Sequence, residues 1–269
     1  MLEALRYPFV IHALLAGACV AVSAAACGYF LVARGLAFAA HALPNIGFAG
    51  AAGAVLAGID PLFGMFGFTL AAAAAMGLVP PGRTLRDVGI GVFMTFALGL
   101  GLLFLALYRG YAERVYAILF GTVLGISTND VVLTAAGSAA VCAALLFISR
   151  PLLYSTHDPG AAEAKGVPVR ALSVAFLLIL AVATSLSVVV MGSLLVFALL
   201  VGPAATAARL VVRPLAVMAL AGGLGVLYVV LSILIAAAVG SLPVSFLVAS
   251  LSFAVYLPVR LATRASGET

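Results

Sequence analysis

The chain has 269 residues, 66% of them hydrophobic and only 8% charged, with a net charge of +5 and a mean hydropathy of +1.33. A soluble fold needs charge to cover its exterior, so this composition excludes one. Apolar runs of about 20 residues recur along the chain, each long enough to cross a hydrocarbon layer of ~30 Å. A β-barrel would show short alternating segments instead. The class is therefore an all-α polytopic membrane bundle, and the 13 basic residues, spread thinly, are no nucleic-acid surface.

Taken in chain order, the hydropathy predicts spans near 8–32, 36–58, 61–79, 88–107, 130–149, 170–190, 192–208, 215–239 and 243–260. The seventh is separated from the sixth only by Met191-Gly192-Ser193; merging the two would leave eight spans instead of nine. The run Ala24-Ala25-Ala26-Cys27 has the look of a lipoprotein cleavage site, but the long apolar stretch before it reads as a first span. Cys19, Cys27 and Cys142 all fall inside spans and form no CxxC, as expected of small apolar helix residues. With the N-terminus outside, Arg34, Arg83, Arg86, Arg150, Lys165, Arg170, Arg209, Arg213, Arg260 and Arg264 face the cytoplasm, against Arg6, Arg109 and Arg114 outside.

Shorter features follow from the same pass. Val115–Ile126 is apolar but shorter than the ~17 residues a crossing needs, which predicts a re-entrant or interfacial helix. Ser127-Thr128-Asn129-Asp130 then supplies an N-cap for the next span. Pairs of small residues four apart, Gly121/Gly125, Ala49/Gly53, Ala219/Gly223 and Ala221/Gly225, predict close helix crossings. The chain reads as one membrane domain over 1–260 with a cytoplasmic tail, 261–269, expected to be disordered.

Polar and ionisable groups inside a membrane are costly and so mark functional candidates. His12 stands alone near the start of the first span. His41 and Asn45 are spaced i, i+4 on one face of the second, and Pro44 between them frees the Ala40 carbonyl. Imidazole, amide and carbonyl together suit a way-station for a cation, though not a tight zinc site, which needs three or four ligands. No HExxH, GxSxG or pair of intramembrane aspartates occurs. The only lysine, Lys165, is followed by glycine, so there is no Walker A motif and no route to nucleotide hydrolysis by that device. The chain is expected not to be an enzyme and to bind no resident cofactor.

One polar island interrupts the apolar pattern, STHDPGAAEAKGVPVRA at 155–171. Asp158-Pro159 is a cap with proline at the first helical position, Gly160–Lys165 is Ala-rich, and Gly166 followed by Pro168 ends it. The pattern predicts a capped surface helix of about two turns on the cytoplasmic side, either a docking element or a structured connection.

Arg34…His41-Ala42-Leu43-Pro44, Leu119-Phe120-Gly121, Asp158…Ala161…Ala164-Lys165-Gly166-Val167 and Gly192…Leu199-Leu200-Val201-Gly202-Pro203-Ala204-Ala205-Thr206-Ala207 occur in this order. The set resembles the permease subunit of ABC importers for zinc, manganese or iron. The resemblance implies a bacterial plasma-membrane protein whose pore is formed by two copies. It also implies a cytoplasmic ATPase that grips the coupling segment 156–169, and an extracytoplasmic protein that delivers the ion. Zinc is the cargo expected first. Pro44, Gly202, Pro203 and Thr206 are then pore or packing residues. The family's Asp, four residues before the histidine, is Ala37 here. The family's histidine on the fourth helix falls in Gly91–Phe96, which has none. The competing classes are a stand-alone secondary transporter and a membrane scaffold; Asp60, Asp87, Glu113 and Asp130 all lie at span ends, against the former.

Overall fold

The computed structural model describes residues 8–78, 83–108, 125–193, 195–239 and 242–265. Among the described residues the chain is helical, with no strand. The helices are α1 (Pro8–Ala33), α2 (Ala37–Leu56), α3 (Pro61–Leu78), α4 (Arg83–Leu107), α5 (Thr128–His157), α6 (Pro159–Ala164), α7 (Val169–Met191), α8 (Val196–Leu210), α9 (Pro214–Val239) and α10 (Val244–Ala265). Eight of them are long and apolar enough to cross a membrane. The break foreseen at Met191-Gly192-Ser193 is real. Gly192 adopts φ +81°, and α8 beyond it has 15 residues, about 22 Å of helix and short of a full crossing.

α1 is the central post: it packs against α5, α7, α8 and α9. Its buried face is largely alanine, with Ala13, Ala16, Ala21, Ala24 and Ala25 all fully buried, so neighbouring backbones come close. α2 packs on α3 and α4, α3 on α7, and α8 on α9 and α10. Two crossings are fixed by glycine. A side chain on Gly50 would strike the Gly64 carbonyl and one on Gly64 would strike the Gly50 carbonyl, so α2 and α3 meet backbone to backbone. A side chain on Gly28 would strike the Leu200 carbonyl of α8. Of the small-residue pairs, Gly225 packs beside Ala21 of α1 and Gly53 against the Phe104 ring, whereas Gly223 faces open space.

α1 and α5 run parallel and in register. At one end His12 Nδ1 is 3.2 Å from the Ile126 carbonyl oxygen. Midway, Ser23 Oγ donates to Ser138 Oγ at 3.2 Å. At the other end Arg34 reaches Ser155 and Thr156. The N-terminus of α5 carries the expected cap: Ser127 Oγ accepts from the Asp130 backbone N–H, and Asp130 Oδ2 accepts from the Ser127 N–H at 3.0 Å.

Two boundaries differ from the sequence reading. α5 does not stop at 149 but runs through Pro151 to His157, because the turns beyond the proline are held by a fully buried Leu152 and by the Arg34 contacts. α10 continues through Pro258 to Ala265, so the first part of the expected tail is helix. The expected re-entrant helix at 115–126 lies almost wholly outside the described residues.

Candidate functional site

The α2 station forms where the helix is most enclosed by its neighbours. Ala39, Ala40, Ala42 and Leu43 are buried, and Pro44 sits inside the helix. His41 and Asn45 share a face in sequence, but their side chains part. Asn45 is buried; its Nδ2 donates to the His41 carbonyl oxygen at 2.9 Å and reaches Met94 Sδ of α4 at 3.7 Å. His41 is exposed on this single chain and meets Phe197 of α8 edge-on, with ring centroids 5.6 Å apart. Along α4, against Phe38 of α2, lies an open groove of about 650 Å³ lined by Asp87, Gly91, Val92, Met94 and Thr95 among others. Among the described residues no three His, Cys, Asp or Glu side chains converge as a metal cluster. The groove itself offers the Met94 thioether, the Thr95 hydroxyl and the Asp87 carboxylate, while His41 and Asn45 are not among its lining residues; this is a sparse and weakly binding set.

The α8 residues read as pore or packing elements are packed. Thr206 is buried and its Oγ1 donates to the Gly202 carbonyl at 2.8 Å. A side chain at Gly202 would meet the Ser252 hydroxyl of α10, and Pro203 faces Gly225 of α9. The absence of a side chain at Gly202 thus lets α10 close on α8.

At the end of the bundle where Arg34 stands, α6 forms as the sequence directs. Asp158 Oδ1 accepts from the Ala161 N–H at 2.9 Å and Pro159 occupies the first turn. The helix closes with a Schellman motif: Gly166 N–H donates to Glu163 O at 2.9 Å and Val167 N–H to Ala162 O at 3.0 Å, with Gly166 at φ +78°. Ala162 is fully buried and Val167 packs on the core, so one side of α6 is seated. Lys165 Nζ lies 5.3 Å from the centre of the Tyr154 ring. Pro159, Gly160, Glu163, Ala164, Lys165, Gly166 and Pro168 remain exposed, with Ala161 half-buried. The island is a short rigid helix with a bare outer surface.

Sequence reasoning read Arg34 only as a cytoplasmic charge within a matching motif. In the fold its guanidinium donates to three hydroxyls: Nε to Thr156 Oγ1 at 3.0 Å, Nη1 to Ser173 Oγ at 3.2 Å and Nη2 to Ser155 Oγ at 2.9 Å. It also lies over the Phe176 ring. The available signal was an arginine set directly between two apolar runs and followed by glycine. Met94 and Phe197, which divide His41 from Asn45, carried no signal.

These features define a multi-pass helical protein of the bacterial plasma membrane, with a polar station on an inner helix and a capped helix on one surface. The chain belongs to the ABC 3 transport family, whose model matches residues 6–262. It is similar to the manganese transport system membrane protein MntC of Halalkalibacterium halodurans, 31% identical over 226 residues, 84% of this chain and 77% of that protein. It is also similar to the high-affinity zinc uptake system membrane protein ZnuB of Haemophilus influenzae, 26% identical over 209 residues, 77% of this chain and 80% of that protein. Among solved structures, PsaBC from Streptococcus pneumoniae in complex with Fab matches at a TM-score of 0.86 and 23% identity, covering 96% of this chain and 93% of that one. That likeness establishes the fold.

Proposed function

We propose that this chain is the membrane-spanning subunit of an importer for a divalent first-row metal cation, driven by ATP hydrolysed on a separate chain. The observation that carries the reading is α6, a capped and half-seated surface helix in a family member without a Walker A lysine. Its bare outer side, within the segment Asp158 to Val167 and made by Asp158, Pro159, Gly160, Glu163, Ala164, Lys165 and Gly166, is the docking surface for the ATPase. His41 and Asn45 belong to the cation path. The open flank at His41 is completed by a second copy of the chain, and an extracytoplasmic binding protein delivers the ion.

Manganese, rather than the zinc expected from sequence alone, is placed first. The manganese relative is the more similar of the two. Thiolate and multiple imidazole ligands favour zinc, whereas carboxylate and carbonyl oxygens suit manganese, and the groove beside α2 has a carboxylate, Asp87, and no thiolate or imidazole in its lining. The test is reconstitution in liposomes with the ATPase and binding protein, following uptake of Mn²⁺, Zn²⁺ and Fe²⁺. Uptake of Mn²⁺ that needs ATP and ceases when the ATPase is omitted is the expected result. Uptake driven by an ion gradient without ATP would return the protein to the secondary-transporter class.

A further inference from the structure

The α6 helix cannot act on the α2 station by contact, since its own neighbours are the ends of α5 and α7. Those two ends and α6 form one block. Asp158 serves both as the cap of α5 and as the cap of α6, Ala162 and Val167 are packed inward, and the Val169 N–H that opens α7 bonds back to the Val167 carbonyl at 2.9 Å. Arg34 is bonded to both sides of that block, to Ser155 and Thr156 on α5 and to Ser173 on α7.

The other side of Arg34 is the turn into α2. Arg34 caps the end of α1, and the turn is another Schellman motif: Gly35 N–H donates to Val32 O at 3.1 Å and Leu36 N–H to Leu31 O at 2.9 Å, with Gly35 at φ +66°. Leu36 is already the N-cap of α2, and the Ala40 N–H bonds its carbonyl at 3.2 Å. From Arg34 to His41 there is thus no slack segment, only a closed turn and the first turns of a helix. α2 otherwise packs chiefly on α3 and α4, with smaller contacts on α7 and α8 and none of that extent on α6 itself.

We infer that Arg34 is the positioning residue that carries displacement of the α6 block into α2. It does so by linking three hydroxyls on α5 and α7 to the stiff turn before His41. Two of the three acceptors are themselves fixed, since Ser155 Oγ and Thr156 Oγ1 donate to the Leu152 carbonyl at 3.0 and 2.6 Å. The joint is therefore built into the last turns of α5 and moves with them. The inference rests on the reading of α6 as the ATPase docking surface.

The test uses the full complex of this chain with its ATPase and binding protein, in a background where Cys19, Cys27 and Cys142 are alanine and Ala37→Cys reports on the start of α2. Labelling of that cysteine by a maleimide is followed with and without ATP, alongside ATP hydrolysis and Mn²⁺ uptake. With Arg34 present, ATP changes the labelling rate. Arg34→Ala keeps hydrolysis within about twofold, abolishes the ATP-dependent change in labelling, and lowers Mn²⁺ moved per ATP at least tenfold. Arg34→Lys recovers part of both. The triple variant Ser155→Ala, Thr156→Val, Ser173→Ala, which leaves the arginine in place, behaves as Arg34→Ala does.

Unchanged labelling response and unchanged ion-to-ATP ratio in Arg34→Ala would overturn the inference. So would a proportional fall of hydrolysis and uptake that lysine does not relieve, which marks a mere brace. A wild-type complex whose labelling ignores ATP would overturn it as well. A complex whose α2 labelling responds to ATP through Arg34 but which moves no Mn²⁺, Zn²⁺ or Fe²⁺ would instead refute the cargo reading alone.

Discussion

Gly166→Ala is the sharpest test of α6. Gly166 sits at φ +78°, and a side chain there would meet nothing within 4 Å. The substitution therefore adds no clash, and its whole effect is the backbone cost of holding an L-residue in the left-handed region, about 1–2 kcal/mol. That energy falls on the Schellman closure that sets the direction of the chain from α6 into α7. Converted at ~1.4 kcal/mol per tenfold, it lowers the equilibrium constant for the docking-competent shape by roughly 5–30-fold. Binding of the purified ATPase to the protein in nanodiscs, measured by titration, should weaken by up to that factor. The thermal midpoint of the bundle should fall only slightly, because the α6 segment touches the core chiefly through Ala162 and Val167. Gly166→Asn is the control: asparagine tolerates the left-handed region and should recover most of the affinity. Alanine binding as well as glycine, or asparagine failing as badly as alanine, would refute the reasoning.

The α2–α3 crossing gives a second expectation. Gly50→Ala and Gly64→Ala each force the same pair of backbones apart and should each destabilise the protein in detergent by about 1–3 kcal/mol, read as a lower thermal midpoint. The double variant should cost less than the sum, since one separation relieves both clashes. At the start of α5, Ser127→Ala removes one half of the capping box and should cost about 1 kcal/mol. Amide hydrogen exchange should rise in the first turn of α5 and not at Ser138 or beyond.

Local signals were read well from the sequence, and contacts across the bundle were not. α6 was legible because every determinant lies within ten residues: Asp158 and Pro159 to open it, Gly166 and Pro168 to close it. The Ser127/Asp130 cap and the break at Gly192 are local in the same way. The fifth span was bounded near 149 because part of what carries α5 past Pro151 comes from Arg34, over 120 residues away in the chain. The i, i+4 spacing of His41 and Asn45 does place both on one helical face. That face, however, is divided between two neighbours, Met94 of α4 drawing the amide inward and Phe197 of α8 meeting the ring. Nothing in the spacing records which neighbour takes which side chain. The missing acid at Ala37 was visible from the start. Asp87 at the rim of the same groove was dismissed as a span-end residue, because only the fold brings the starts of α2 and α4 together.

The short α8 has a bearing on how the protein is made. Its break is sealed by elements synthesised later: Ser245 Oγ of α10 donates to the Met191 carbonyl at 3.4 Å, and Gly202 meets Ser252. At the far end Arg209 reaches Thr263 at 3.5 Å and lies over Tyr256. All of these partners belong to α10, which leaves the ribosome after α8. A helix too short to span by itself is thus tied near both its ends by one later helix. A chain truncated before Val244 should lose these ties together and leave α8 held chiefly by α1 and α9, with smaller contacts on α2 and α7.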